Sequence, residues 1–313
     1  MAFVMTRDLF YLINQAIFVF MLLSQTGLEQ YRGVLLKTLE SFIRTCGDNS
    51  LRWWMAFGSA IGTVRHHGFI PWDDDIDVFM PRPDYEKLKK LEVPGVRIEY
   101  VREGDGDDFP FPYIKFCDGN STIWERQMYP SVFGVFIDVF PLDEAGEGDS
   151  EAFRQRYRRI FHRYKRSQRV YPCGSFLRRL AGLDFRGAFK VAADGLWHSR
   201  RLPFYKEAFL ACDREAAAKR GGDFIVYGTS SNYRRLLLPR SVFENTVTMK
   251  FEGLDVNMAG GYDTMLRLYY GDYMQLPPYT ARLSEHYHYF IDLDRRLTLD
   301  EAIDLQARRG MKV

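Results

Sequence analysis

Four aspartates within five residues constrain this chain more than any other feature. They stand in the segment PWDDDIDVFM, residues 71–80, and are Asp73, Asp74, Asp75 and Asp77. The alternation of acidic and apolar residues up to Val78 has the two-residue period of a strand with one face in the core. We therefore expect Ile76 and Val78 to point inward. The opposite face would carry Asp73, Asp75 and Asp77, with Asp74 pointing away from them if the strand extends back that far.

The aspartate cluster has two interpretations. Carboxylates this close repel one another, and a fold tolerates them best when a cation lies between them. Hard oxygen ligands suit Mg²⁺ or Mn²⁺, and Mg²⁺ is usually held by one or two carboxylates plus substrate phosphates. The alternative is a solvated acidic turn after Pro71. Trp72 and the apolar residues 76–80 favour the metal site, because a solvated turn needs no apolar bulk around it.

A Gly-Ser pair precedes the acidic cluster. Gly58 and Ser59 follow the apolar residues 53–57, which we predict to form the first strand. A glycine lets the backbone approach a phosphate closely. We therefore expect the backbone N–H groups of Gly58 and Ser59 to cradle a phosphate.

The whole block from the Gly-Ser pair to the acids, GSAIGTVRHHGFIPWDDDIDV over residues 58–78, resembles the LicD family. This family includes bacterial phosphorylcholine transferases, is related to fukutin-type proteins and falls within the nucleotidyltransferase-like superfamily. Ile61, where leucine is common, is a mild departure. The FEG, YD, YGDYM and PP motifs between residues 251 and 278, and then His286, resemble the tail of the family. The proline usual before Tyr262-Asp263 is missing, and a buried tyrosine cluster is the alternative interpretation of this block.

A lone carboxylate lies in the apolar segment VFIDVF, residues 135–140. Burying Asp138 in such a strand costs several kcal/mol unless its charge is paired or bound to a metal. We expect Pro141 to end the strand, and Leu142-Asp143 continues a family-like D-x-F-P-L-D pattern. The resemblance implies that Asp138 joins Asp75 and Asp77 as a metal ligand.

The resemblance also implies roles for other residues. Lys115, in a predicted strand over residues 112–116, resembles a phosphate-facing lysine, although an ordinary lysine on an edge strand remains the alternative. Arg65 would add positive charge to the substrate site, and His286 would bind substrate. His66 would assist catalysis or position a partner, since its pKa lies near neutrality. Asp73 or Asp138 would act as base for the acceptor hydroxyl.

Composition limits the partners and the compartment. The net charge of +2 argues against a general nucleic-acid binder, which carries a marked basic excess. The four cysteines include no CxxC pair, so we expect reduced thiols in a cytoplasmic protein. Residues 1–28 form an apolar helix or extension, either packed on the domain or dipping into a membrane. Residues 29–290 form the LicD-like domain, with a basic helical insert over about 151–203, and residues 291–313 form a helical tail.

The insert begins with a basic amphipathic helix. An apolar stripe runs along it and consists of Phe153, Tyr157, Ile160, Phe161 and Tyr164. Arginines and lysines crowd its other positions between residues 154 and 169. Such a helix either contacts an anionic membrane at the inner face or covers the core with its arginines in solvent.

These observations predict an α+β, mixed α/β fold built on a nucleotidyltransferase-like mixed sheet flanked by helices. The resemblance implies a Mg²⁺- or Mn²⁺-dependent transferase that moves a phosphorylcholine-like group. The donor would be a CDP-activated small alcohol, and the acceptor a hydroxyl of a cell-surface glycan or glycolipid. Two alternatives remain open. One is a nucleotidyltransferase that uses a nucleoside triphosphate, and the other is a non-catalytic, membrane-associated glycan-binding protein.

Overall fold

The computed structural model describes residues 25–104, 109–146, 151–171, 175–195, 199–227, 237–282 and 288–308. Over these ranges the chain has the predicted mixed α+β architecture. The strands are β1 (Trp54–Met55), β2 (Asp77–Pro81), β3 (Val96–Glu99), β4 (Ile114–Asp118), β5 (Thr122–Trp124), β6 (Phe136–Glu144), β7 (Phe224–Ile225), β8 (Leu237–Leu238), β9 (Thr246–Phe251), β10 (Leu254–Ala259) and β11 (Phe290–Asp292). The α-helices are α1 (Gln25–Asp48), α2 (Phe57–Ile61), α3 (Arg82–Leu88), α4 (Glu151–Ser167), α5 (Ser175–Ala181), α6 (Phe185–Ala193), α7 (Leu202–Ala218), α8 (Tyr262–Tyr270) and α9 (Leu299–Arg308).

Two predicted features fall partly or wholly outside these ranges. Residues 1–24 of the predicted N-terminal segment 1–28, and His286, are not among the described residues. A search of the described helices finds none with the length and apolar character needed to cross a bilayer.

A seven-stranded sheet holds the centre of the fold. Its main path runs β1-β2-β6-β4-β3, and β7 and β8 extend it from the end of β6. The β2–β6 pair is parallel, whereas the other pairs are antiparallel. Strand β6 carries eight consecutive buried residues, from Phe136 to Asp143, which explains its place in the middle of the sheet.

The expectation that Pro141 ends this strand is wrong, because β6 continues to Glu144. Strand β4 pairs with β6 only as far as Val139, and β7 pairs with it only from Asp143. Pro141 therefore lies where one side of β6 has no neighbouring strand. A missing backbone N–H is tolerated at such a position.

Helix α1 covers one face of the sheet. Its apolar positions Leu35, Leu39 and Phe42 are fully buried, as the spacing of three and four residues predicts. The Phe42 ring packs edge-on against Phe116 of β4, with ring centroids 5.3 Å apart. Because side chains alternate along a strand, Lys115 points to the other face of the sheet.

The apolar stripe of the basic helix α4 belongs to the core. Phe153, Tyr157, Phe161 and Tyr164 are buried, and Tyr164 stacks on Phe209 of α7 with ring centroids 5.5 Å apart. Insertion of this stripe into a membrane is therefore excluded, and the core-packing alternative is confirmed.

A buried ion network fixes the helices to the sheet. Arg82 donates to both carboxylate oxygens of Asp143, at 2.6 and 2.8 Å, and also to Asp213 of α7 at 3.1 Å. Tyr157 of α4 donates to the same Asp213 at 3.2 Å. The second aspartate of the D-x-F-P-L-D pattern is thus a structural anchor.

The C-terminal part combines a hairpin, a helix and a small second core. Strands β9 and β10 form a hairpin whose turn holds Gly253 at a φ of +85°. Helix α8 ends at Tyr270 and is followed by Gly271, whose φ is +70°. Residues 291–313 begin with strand β11, which pairs with β5, before helix α9. The predicted helical tail thus contains α9, while its first residues, Ile291 and Asp292, belong to a strand whose Phe290 pairs with Trp124 and is buried.

Candidate active site

The sheet register places three charged residues in one row. Asp77 of β2 lies opposite Asp138 of β6, and Asp138 lies opposite Lys115 of β4. Residues directly opposite each other in a sheet point to the same face. Strand pairing alone therefore brings together two of the predicted carboxylates and the predicted lysine.

Lys115 is a fully buried cation between two carboxylates. Its Nζ donates to Asp138 Oδ1 at 2.8 Å and lies 3.1 Å from Glu125 Oε1, while the side chain is 1% exposed. Burial by itself would lower the pKa of Lys115, but Asp138 and Glu125 outweigh it and the pKa is raised. The ammonium also sits over the Phe136 ring, 3.2 Å from its centroid. The edge-strand alternative is wrong, because β4 lies between β6 and β3.

Glu125 was not predicted from the sequence. It directly follows β5, and no motif surrounds it. The pairing of β5 with β11 and the bridge between Ile123 and Phe133 bring this strand beside the sheet face that holds Lys115. Only the long-range fold gives Glu125 its role.

The acidic cluster is not one continuous strand. Strand β2 begins only at Asp77, and Asp73 donates its N–H to Ile70 O at 2.9 Å in a turn. Arg32 of α1 holds this turn, because its Nη2 donates to the carbonyls of Ile70 at 3.1 Å and of Asp73 at 2.6 Å. The predicted strand alternation back to Asp73 is therefore wrong. Asp74 and Asp75, between this turn and β2, are both buried.

The Gly-Ser pair holds the aspartates on either side of this turn. A Cβ on Gly58 would lie 2.6 Å from Asp73 Oδ2, so only glycine allows this approach. The buried Ser59 Oγ accepts a hydrogen bond from the N–H of Asp77 at 2.9 Å. Phe57, just before the pair, has a φ of +42°, a strained conformation that often marks functional sites. The pair lies in the first turn of α2, and its phosphate-binding role stays a prediction.

Arg65 and His66 contact each other and the C-terminal part of the chain. Arg65 donates from Nη1 to Tyr273 O at 2.6 Å and from Nε to His66 Nε2 at 2.9 Å. Burial and the Arg65 charge lower the pKa of His66, so the ring is neutral and accepts this hydrogen bond. Arg65 thus anchors the YGDYM motif to the block at residues 58–78.

The FEG motif, residues 251–253, holds the neighbouring loop at residues 67–69 in place by hydrogen bonds. Phe69 donates its N–H to Glu252 Oε1 at 3.0 Å, and Glu252 donates its own N–H to His67 O at 2.9 Å. A Cβ on Gly68 would collide with this same carboxylate. The hairpin turn between β9 and β10 therefore clamps the loop at residues 67–69.

The carboxylates of the site raise the pKa values of two nearby tyrosines. Burial raises the pKa of Tyr113 well above its usual value, and Asp138, Glu125 and then Asp77 raise it further. Burial likewise raises the pKa of Tyr31, with further increases from Asp74, Asp75 and Glu125. Carboxylates from the acidic cluster, Glu125 and Asp138 thus act on both tyrosines.

The carboxylates are the type of donor that Mg²⁺ prefers, but they do not form a complete set of ligands. Among the described residues, no three Asp, Glu, His or Cys side chains are grouped so that they could hold a metal ion. One or two carboxylates are enough when substrate phosphates supply the remaining ligands. Asp77 and Asp138, which lie side by side, fit such a site. The three-ligand set of Asp75, Asp77 and Asp138 stays a prediction.

Comparisons with known proteins agree with the motifs. Residues 50–188 match the model of the LicD/FKTN/FKRP nucleotidyltransferase domain. The lipopolysaccharide cholinephosphotransferase LicD of Haemophilus influenzae is 26% identical over 266 residues, which cover 83% of this chain and 96% of that protein. An uncharacterized protein of Rickettsia prowazekii is 28% identical over 115 residues, 34% of this chain and 43% of its own length. One of Rickettsia typhi is 30% identical over 113 residues, 34% of this chain and 36% of its own.

The matched residues include the Gly-Ser pair, the charged row of Asp77, Lys115 and Asp138, and Glu125. The H. influenzae similarity extends far beyond them into the rest of the chain. Residues 50–188 thus match the LicD family, and the similarity to the LicD protein of H. influenzae covers most of the chain.

Proposed function

We propose that this protein is a transferase that moves phosphocholine, or a closely related phospho-alcohol, from a CDP-activated donor to a hydroxyl of a lipopolysaccharide-type glycan. The observation that carries the proposal is the row of Asp77, Asp138 and Lys115 across three adjacent strands. That row lies within the residues that match the LicD family, and the H. influenzae relative is named a lipopolysaccharide cholinephosphotransferase.

The proposed reaction is an in-line displacement at phosphorus. The acceptor hydroxyl oxygen forms a bond to the choline-side phosphorus, the bond from that phosphorus to the bridging oxygen breaks, and CMP leaves. A bound Mg²⁺ or Mn²⁺, held by Asp77 and Asp138, would neutralise charge on the phosphate oxygens. The protein itself supplies orientation and a proton acceptor.

Asp73 is the better candidate for that proton acceptor. Asp138 Oδ1 accepts a hydrogen bond from the Lys115 ammonium, so this carboxylate is already engaged by a cation. Asp73 is partly exposed and is held against Gly58 at the first turn of α2. We therefore assign the base role to Asp73, and to Asp138 the role of binding and orienting.

Product analysis tests the proposal. The protein is incubated with CDP-choline, CDP-ribitol or CDP-glycerol, a divalent cation and a lipopolysaccharide acceptor. Release of CMP with labelled acceptor is expected for one donor, and Asp138→Asn should abolish it. Release of pyrophosphate from a nucleoside triphosphate would instead favour the nucleotidyltransferase alternative. Binding of the glycan without turnover of any donor would favour the non-catalytic one.

A further inference from the structure

The large exposed apolar side chains are concentrated in one region of the surface. Among the described residues, seven large apolar or aromatic side chains are more than half exposed, and six of them lie between residues 170 and 204. They are Val170, Leu177, Leu183, Phe185, Phe189 and Phe204. Monomeric soluble proteins rarely leave such a group uncovered unless it binds something.

The centre of this region is the helical hairpin formed by α5 and α6, residues 175–193. These two helices pack mainly on each other. Phe185 and Phe189 are four residues apart, so they lie on the same side of α6, and they are 64% and 75% exposed. Below the hairpin, buried Asp194 accepts a hydrogen bond from Tyr171 at 2.6 Å and pairs with Arg166. The end of the hairpin near Asp194 is thus fixed to the rest of the fold, whereas its apolar side chains face outward.

The tip of the hairpin holds a strained leucine. Leu183 has a φ of +57° and is 75% exposed, although glycine adopts this conformation at no cost. Asp184 then caps α6 by accepting from the N–H of Gly187 at 2.9 Å, and it pairs with Arg179 at 2.7 Å. The Leu183 backbone takes part in the turn by donating its N–H to Leu180 O at 3.0 Å, but its side chain lies outside the core. Its apolar surface is therefore available for contact with a partner.

The charges around the hairpin indicate which partner it fits. Residues 175–201 contain six arginines and lysines and only two aspartates. Both aspartates, Asp184 and Asp194, are already paired with arginines. A basic surface that presents aromatic and leucine side chains matches the interface of an anionic bilayer.

We propose that the α5–α6 hairpin docks this protein on an anionic membrane, with Leu183, Phe185 and Phe189 inserted at the headgroup level. This role goes beyond the proposed chemistry, and it moves the predicted membrane contact from the stripe of α4 to the hairpin. It would bring the active site to an acceptor that is built on a lipid.

Vesicle co-sedimentation of the full chain tests this assignment without donor or acceptor, so that its failure leaves the proposed reaction untouched. Wild-type protein should sediment with vesicles that contain phosphatidylglycerol and much less with phosphatidylcholine alone. Phe185→Ser/Phe189→Ser should weaken binding at least about tenfold, the scale of losing buried aromatic contacts. A fraction of wild-type binding should persist at 1 M salt, where screening removes charge attraction.

Leu183→Gly separates a docking role from a structural one. It should lower vesicle binding several-fold while the melting temperature stays equal or rises, because glycine relieves the strained backbone. Two control variants should bind as the wild type does. Val247→Ser/Leu268→Ser removes exposed apolar groups elsewhere, and Arg159→Gln/Arg163→Gln removes exposed charges of α4.

Three results would overturn the proposal. The first is no preference of the wild-type protein for anionic vesicles. The second is unchanged binding by Phe185→Ser/Phe189→Ser. The third comes from sedimentation velocity without vesicles: if the same variant converts a dimer to a monomer, the face joins two copies of the chain.

Discussion

Replacing Lys115 by methionine is the most direct test of the charged row. Methionine keeps most of the apolar length of the side chain but removes the ammonium that contacts Asp138 at 2.8 Å and Glu125 at 3.1 Å. Removing one partner of a buried ion pair typically costs about 3–5 kcal/mol, because the other charge is left uncompensated. Two carboxylates lose the same cation here, so we expect the upper part of that range. At about 2 °C per kcal/mol for a chain of this size, the melting temperature should fall by roughly 8–10 °C.

The loss of stability in Lys115→Met should depend on pH, and its direction follows from the pKa shifts. The raised pKa of Lys115 means that its contribution is present at every pH below the pKa of an unfolded lysine, and it disappears only as the pH rises through the folded value. In the variant, burial without a cation raises the pKa of the remaining carboxyls. The folded variant then binds more protons than its unfolded chain as the pH falls. The difference in melting temperature between Lys115→Met and the wild type should therefore become smaller from pH 8 to pH 5.

Thermal melts of both proteins across that pH range provide the measurement. Lys87→Met is the matched control, because its ion pair with Asp84 at 3.3 Å involves a lysine that is 63% exposed and should contribute no more than about 1 kcal/mol. Lys115→Met/Asp138→Asn should regain part of the lost stability, since one uncompensated charge is gone. A Lys115→Met melting temperature within about 2 °C of wild type, with no pH dependence, would refute the reasoning.

Three further predictions follow from the site. Asp77→Asn should lower CMP release by about a hundredfold or more without lowering the melting temperature of the metal-free protein, since it removes one of several repelling charges; a clear drop in melting temperature would make Asp77 structural. Ser59→Ala should cost about 1–2 kcal/mol in urea unfolding, because the buried N–H of Asp77 loses its partner at 2.9 Å, and no measurable cost would contradict this. Burial and Arg65 lower the pKa of His66, so the unfolded chain binds that proton first as the pH falls. Wild type should therefore lose stability below about pH 6.5, and His66→Gln should lose less; parallel stability curves would exclude the effect.

The sequence allowed the local elements and the carboxylates to be predicted, because those depend on periodicity and on the cost of burial. Leu35, Leu39 and Phe42 follow the helical period, and all are buried in α1. Asp138 in an apolar strand had to be paired or bound to a metal, and it is paired with Lys115. The end of α8 just before Gly271 follows from the ease with which glycine takes a positive φ.

The contacts that complete the site depend on strand register and on distant segments, so no local pattern reveals them. Arg32 is 41 residues from Asp73, and Glu252 is 183 residues from the Phe69 N–H that it binds. The predicted strand does not extend before Asp77, because a distant residue holds the preceding segment. Arg32 hydrogen-bonds with the carbonyls of this segment, and those carbonyls are therefore held in a turn rather than in a strand ladder.

The charge balance of the completed site has a consequence for how a donor would enter. Lys115 supplies one positive charge against the two carboxylates of Asp138 and Glu125, and both carboxylates raise the pKa of Tyr31 and Tyr113 beyond the effect of burial. A CDP-activated donor carries two phosphate charges, and like charges at short range repel strongly when water is excluded. Positive charge must therefore accompany the donor. This electrostatic need, rather than a preformed group of three ligands, is the physical basis for expecting Mg²⁺ or Mn²⁺ to bind together with the phosphates at Asp77 and Asp138.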